Sequence, residues 1–196
     1  MVVVVAGMHR TGTSLVSSIL ISLGVHMGDK LLRPTSSQPY GHFEDVDFYE
    51  MNKRILKEAG GSWCEPPSHD LVLQVELPIA ELVSRKAKKG RNWGWKDPRN
   101  CLTLPLYHPY LENPRYVRVI RDVVPTTTSL KKRSKRGELS KWTSLYHLYY
   151  ERLDAFLADK DYVVVKYEEI NPVTIGKLND FIDGNGNVEG AMRRVH

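Results

Sequence analysis

Short apolar, β-branched runs appear at four places in the chain. "VVVVA" (residues 2–6), "WGW" (93–95), "YVRVI" (116–120) and "YVVVK" (162–166) alternate little between apolar and polar positions, as do strands buried on both faces of a parallel sheet. Between them the apolar positions recur with a helical period. Leu15, Ile19, Leu20 and Leu23 form one stripe over 14–23, stopped by Gly24. Further helices are predicted over 45–59, where Gly60 and Gly61 end the pattern, over 70–89, from about 124, over 140–157 and after Pro172. Strands alternating with helices predict an α/β fold, a three-layer sandwich with a central, mostly parallel sheet. Neither a repeat nor a long linker divides the chain, so residues 1–196 read as a single domain. "RPTSSQPYG" (33–41) is a loop by its prolines, serines and glycine.

Composition narrows the class. With 41% hydrophobic and 26% charged residues the chain has what a packed core needs, which sets disorder aside. No apolar run approaches the roughly 18 residues of a membrane span, and the first residues run into a strand without the long apolar stretch of a signal peptide. A cytoplasmic protein with Cys64 and Cys101 as reduced thiols is the expectation. A net charge of +5 favours anionic ligands. Much of the excess lies in "SRKAKKGR" (84–91) and "KKRSKR" (131–136). Neither cluster is interleaved with aromatic residues, so solvated helix ends are expected there and no nucleic-acid partner.

The most informative stretch is "AGMHRTGTS" (6–14). The phosphate-loop pattern G-x-x-x-x-G-K-[ST] is met at Gly7, Gly12 and Ser14, but Thr13 stands where the lysine belongs. A cation is present inside the loop instead, as Arg10. The strand ends at Ala6 and a helix starts about Thr13, so unpaired backbone N–H groups face outward at the positive end of a helix dipole and attract an anion. The hydroxyls of Thr11, Thr13 and Ser14 add donors, and Arg10 adds a forked, permanent charge.

This loop resembles the one with which sulfotransferases grip the 5′-phosphosulfate of 3′-phosphoadenosine 5′-phosphosulfate (PAPS), where a basic residue precedes [ST]-G-T. Arg10 stands where many members carry lysine. The resemblance makes His9, Arg10, Thr11, Gly12, Thr13 and Ser14 the residues around that group. The family reads the 3′-phosphate with an arginine ending a strand and a serine eight residues later, and "YVRVIRDVVPTTTS" supplies Arg121 and Ser129 at that spacing. "GHFED" (41–45), "GWKDPRN" (94–100), "VVVKYEEI" (163–170) and the closing "NPVTIGKLNDFIDG" (171–184) are similar to further segments of the family. The adenine-stacking tryptophan of the family has no clear counterpart. Arg193 and Arg194 stand near where some members bind the 3′-phosphate with a basic C-terminal segment. The resemblance implies transfer of a sulfuryl group from PAPS to a hydroxyl or amine of a small molecule, glycan or peptide. The product is adenosine 3′,5′-bisphosphate, and the family reaction needs no metal.

Such a transfer needs a base for the acceptor and positive charge around the sulfonate. Glu44, just before a helix, is the candidate base, as in several carbohydrate-type members, and His42 is the competitor. Lys96 reaches the carboxyl end of the sheet, where it would stabilise developing charge. Asp97 would orient it or the acceptor, or pair with Arg99 around Pro98, the reading preferred for Arg99. His9 faces the acceptor or packs on a neighbour. The acceptor pocket is expected from 33–45, 63–69 and the loop after Ser134. Two other readings compete: a small-molecule or nucleotide kinase, which should carry the loop lysine and a Mg²⁺-holding aspartate, and a non-catalytic nucleotide-binding module. The oligomeric state is not legible.

Overall fold

A computed structural model describes residues 1–35, 41–87, 92–135 and 137–194. The elements run β1 (Val2–Ala6), α1 (Thr13–Ser22), α2 (Val46–Glu58), α3 (His69–Leu73), α4 (Ile79–Ala87), β2 (Trp93–Lys96), α5 (Asn100–Tyr107), β3 (Pro114–Ile120), α6 (Val123–Ser134), α7 (Leu139–Leu157), β4 (Tyr162–Lys166), α8 (Pro172–Phe181) and α9 (Val188–Met192). The four strands form one sheet in the order β2-β1-β3-β4, and every pairing is parallel.

The valines of β1 show why the sheet needs two helical layers. Val2, Val4 and Ala6 point into one core with Phe48, Ile55, Leu104 and Leu153 from α2, α5 and α7. Val3 and Val5 point into the other, against Val16, Ile19 and Leu20 of α1, Ile175 and Leu178 of α8, and Ala191 of α9. Each strand face is thereby removed from water, and this is the main stabilising contribution of the sheet. At the sheet edge the expectation of two buried faces fails. Tyr162 and Val164 of β4 are 42% and 43% exposed, because among the described elements no helix covers their side of the edge strand.

Two helix expectations need correction. The long helix over 70–89 is two helices, α3 and α4, with its last residues outside those described. Pro78 divides them, since proline lacks an N–H for the helix ladder and drives the preceding residue out of the helical region. Conversely, α5 was not expected, because Pro105 sits inside it and its eight residues show no clean periodicity. A buried polar network holds α5 in place. The Asn100 amide donates to the Val5 carbonyl at 2.9 Å and accepts from Trp95 Nε1 at 3.2 Å; Thr103 and Tyr107 both donate to Asn52 Oδ1. These bonds tie the segment after β2 to the end of β1. In the basic cluster at 84–91, of which 88–91 lie outside the described residues, Lys86 differs from a residue of a solvated helix end. Lys86 is 6% exposed and its Nζ meets Asp45, Asp29 and Asp47 at 2.7, 3.1 and 2.9 Å.

Candidate active site

The carboxyl ends of β1, β2 and β3 open on one side, where parallel sheets bind ligands. From β1 the chain enters the loop 7–12, which two glycines shape. A Cβ on Gly7 would lie 2.4 Å from the Val119 carbonyl oxygen, and Gly12 has φ 91° with its missing Cβ 2.3 Å from the Tyr167 ring. Arg10 itself has φ 72°, a left-handed turn that few non-glycine residues adopt. Thr11 donates its hydroxyl to the Met8 carbonyl at 2.7 Å, so this side chain braces the loop and leaves the backbone N–H groups to meet an anion.

Two regions far apart in sequence meet at Arg10. Its Nε donates to Ser129 Oγ, on α6, at 2.9 Å, and burial, with the charge of Arg121, pushes its guanidinium below the usual value. Arg121 follows β3; its Nε is buried without a hydrogen-bond partner among the described residues, and its guanidinium lies 4.3 Å from the Tyr167 ring centroid. Glu168 is the nearby carboxylate, at 3.8 Å. Two guanidiniums near enough for one to depress the other's pKa carry the concentrated positive charge that suits a phosphate-like anion. Arg194 is elsewhere: it reaches Ser22 at 3.4 Å, at the far end of α1, where it is remote from the loop.

A cavity of about 350 Å³ opens beside the loop, lined among others by His9, Arg10, Ser14, His42, Glu44 and Lys96. Lys96, the last residue of β2 and 1% exposed, is its hub. Its ammonium donates to Glu44 Oε1 at 2.7 Å, to the His42 carbonyl at 2.5 Å and to Ser14 Oγ at 3.3 Å. Ser14 in turn donates to the same carbonyl at 3.1 Å. The loop helix, the segment 42–44 and β2 therefore meet at one buried ammonium. Asp45 fixes the direction from which Glu44 enters. As N-cap of α2 it accepts from the N–H of Asp47 at 2.9 Å, and its other oxygen takes Lys86 and the N–H of Asp29. Glu44 is 7% exposed, with Oε1 held by Lys96.

His42 sits at the rim, its Nε2 3.1 Å from Thr35 Oγ1; burial lowers its pKa, so the ring is neutral at neutral pH. His9 lines the cavity and packs on Trp63 with ring centroids 4.5 Å apart. Burial holds it well below the usual histidine value, assisted by the charges of Arg99, Arg133, Lys96 and Arg10. Asp97 and Arg99 pair at 3.0 Å, and Arg99 also reaches the cavity.

The cavity lining draws only in part on the segments expected to form an acceptor pocket. Leu32, Arg33 and Thr35 line the cavity, but of the segment 63–69 Trp63 lines it, and Arg133 stands there in place of the loop after Ser134. Residues 36–40 and 136 of those segments lie outside the described ones. Tyr49 and Arg99 complete the wall. Neither Trp63 nor Arg133 carries a motif; the sequence signal was confined to their segments.

Comparison with known proteins gives two results. Residues 3–180 match the model of the sulfotransferase family. Among solved structures, the sulfotransferase domain of the Synechococcus PCC 7002 olefin synthase superposes over 100% of this chain and 77% of its own, with a TM-score of 0.67 at 16% identity. Deoxyadenosine kinase from M. mycoides, with bound dATP, superposes over 93% of this chain and 100% of its own, with a TM-score of 0.52 at 15% identity. Identities this low establish a common fold. Curated proteins give no match.

Proposed function

The chain belongs to the sulfotransferase family, and on that premise we propose that it moves a sulfuryl group from PAPS to a hydroxyl or amine of its acceptor, by in-line transfer without a metal. The observation that carries the donor assignment is the Arg10–Ser129 contact at 2.9 Å across 119 residues of sequence. It supports a single groove with two anion sites, one at the loop and one at Arg121 and Ser129, as a nucleotide with both a 5′-phosphosulfate and a 3′-phosphate requires. The buried, unpartnered Nε of Arg121 fits such a ligand.

PAPS supplies a sulfuryl group whose bond to the 5′-phosphate oxygen breaks, the electron pair leaving on that oxygen. The loop N–H groups and Arg10 stabilise the charge that develops there. Lys96, with its three N–H donors on Glu44, the His42 carbonyl and Ser14, contributes its positive charge to the field around the sulfonate from the floor of the cavity. Glu44 accepts the acceptor's proton as the acceptor oxygen bonds to sulfur; Oε1 stays on Lys96 and Oε2 faces the incoming hydroxyl. His42, farther out and bonded to Thr35, fits a role in binding the acceptor. The kinase reading is weaker, because Arg10 and Thr13 replace the loop lysine arrangement and the family match is to sulfotransferases.

The test is calorimetric. Adenosine 3′,5′-bisphosphate should bind about ten- to a hundredfold more tightly than 5′-AMP, since a charge-assisted contact contributes roughly 1.5–3 kcal/mol. Arg121→Ala should abolish the difference. Equal affinities in the unaltered protein would sink the second anion site.

A further inference from the structure

The cations around the cavity outnumber the carboxylates. Arg10, Arg33, Lys96, Arg99 and Arg133 line it against a single carboxylate, Glu44. Three of the five are committed: Lys96 to Glu44, Arg99 to Asp97 and Arg10 to Ser129. Arg133 has no carboxylate within ion-pair distance among the described residues; its guanidinium lies 5.2 Å from the Trp63 ring centroid.

Position on α6 separates Arg133 from the nucleotide contacts. Ser129 and Arg133 are four residues apart on the same helix, hence on the same face and about 6 Å apart along the axis. Arg121 precedes the helix, so Arg133 lies one turn beyond Ser129 on the side opposite to Arg121. There it adjoins an aromatic wall. Trp63 stacks on Trp142 with centroids 5.9 Å apart and meets His9 at a tilt of 59° with centroids 4.5 Å apart, and Arg99 lies 4.8 Å from the centroid of Tyr49. A cation held against an aromatic face, beside a cavity in which Lys96 and Arg99 have carboxylate partners, forms a receptor for a flat or ring-shaped body that bears an anion.

We infer that the acceptor is a small anionic molecule, its negatively charged group held by Arg133 and its ring lying against Trp63, with its hydroxyl directed at Glu44. This rests on the sulfuryl-transfer reading above and deepens it. A volume of about 350 Å³ is near the lower end of the roughly 300–1,000 Å³ typical of small-molecule sites, so a compact acceptor, or the terminal unit of a larger one, fits. Arg33, exposed at the rim of the same cavity, adds a second charge on the path of entry and favours anions before they dock.

Matched probes test this. Binding of 4-hydroxyphenylacetate and of its uncharged amide is measured by calorimetry on protein saturated with adenosine 3′,5′-bisphosphate. A second pair, methyl glucuronide and methyl glucoside, does the same on a sugar scaffold. In at least one pair the acid should bind ten- to a hundredfold more tightly than its neutral partner, the range of one charge-assisted contact. Arg133→Gln should bring that acid to the level of the neutral compound. Affinity for the bisphosphate and melting temperature should stay within about twofold and within a degree or two, as expected for a surface substitution. No preference for the acid in either pair overturns the inference. So does an Arg133→Gln protein that keeps the preference, or one that loses bisphosphate affinity instead, which would assign Arg133 to the nucleotide. If the bisphosphate itself fails to bind, the donor reading falls, and the same pairs titrated into nucleotide-free protein still decide whether Arg133 selects an anion.

Discussion

Glu44→Gln separates a chemical role for this residue from a structural one, because its two carboxylate oxygens have different surroundings. Oε1 accepts from Lys96 at 2.7 Å in a pair with side-chain exposures of 1% and 10%. Glutamine keeps the shape and can present its amide oxygen to Lys96, so the hydrogen bond survives while the ion pair is lost. Lys96 is then a buried ammonium without its counter-charge, which should cost about 3–5 kcal/mol, or a fall in melting temperature of roughly 6–20 °C for a domain of this size. Losing the proton acceptor should lower turnover by about 10² to 10⁴, while affinity for adenosine 3′,5′-bisphosphate should hardly move. Single-turnover rates and melting curves on the same preparation give both numbers. Lys96→Met provides the mirror case: it strands the buried carboxylate of the same pair and should cost a similar amount, about 3–5 kcal/mol. If Glu44→Gln melts as expected yet turns over within a few fold of the unaltered enzyme, Glu44 only braces Lys96 and is not the base. A collapsed rate in His42→Ala beside it would move the base to His42.

Two further outcomes follow from the loop. Gly12→Ala should reduce bisphosphate affinity at least tenfold and destabilise the fold by about 1–3 kcal/mol, since φ 91° is strained for alanine and the new methyl meets Tyr167; Tyr167→Ala added to it should relieve the clash but not the φ strain, and full recovery in calorimetry would contradict this. Acidification should destabilise the protein through His9, whose folded-state pKa is depressed chiefly by burial. The unfolded chain takes up the proton first, so stability is full above about pH 6.5 and falls by up to about 1.4 kcal/mol per pH unit below it, until the folded-state value is reached. Melting curves at pH 7.5 and 5.5 should show a smaller loss in His9→Phe than in the unaltered protein; an equal loss would clear His9 of the effect.

What could be read from the sequence was whatever local chemistry dictates. β-Branched runs located three strands and the apolar "WGW" the fourth, and the glycines with Arg10 marked the loop between β1 and α1, because backbone geometry and a helix terminus leave short-range signatures. The spacing of Arg121 and Ser129 was informative only through resemblance; that Ser129 bonds Arg10 is a matter of tertiary packing. Glu44 and Lys96 were singled out separately, but nothing local indicates that they share one hydrogen bond. The acceptor wall was least legible. Trp63, Tyr49 and Arg133 come from unrelated segments, and an arginine in a basic run looks the same whether it faces solvent or a cavity. For Lys86 that ambiguity resolved inward, to three aspartates of which Asp45 is fully buried.

The sheet order has a consequence for biosynthesis. The β1 strand lies between β2 and β3, yet it leaves the ribosome long before residues 93–96 and 114–120 exist to flank it. Until then "VVVV" is an unpaired, uncharged, strongly β-prone segment of the kind that seeds aggregation. Its partners are distant in sequence, so its burial must await slow, long-range pairing. Nascent chains stalled before residue 93 should therefore depend most on chaperones, and the first few residues are where a charged substitution would aid solubility during synthesis while ruining the finished core.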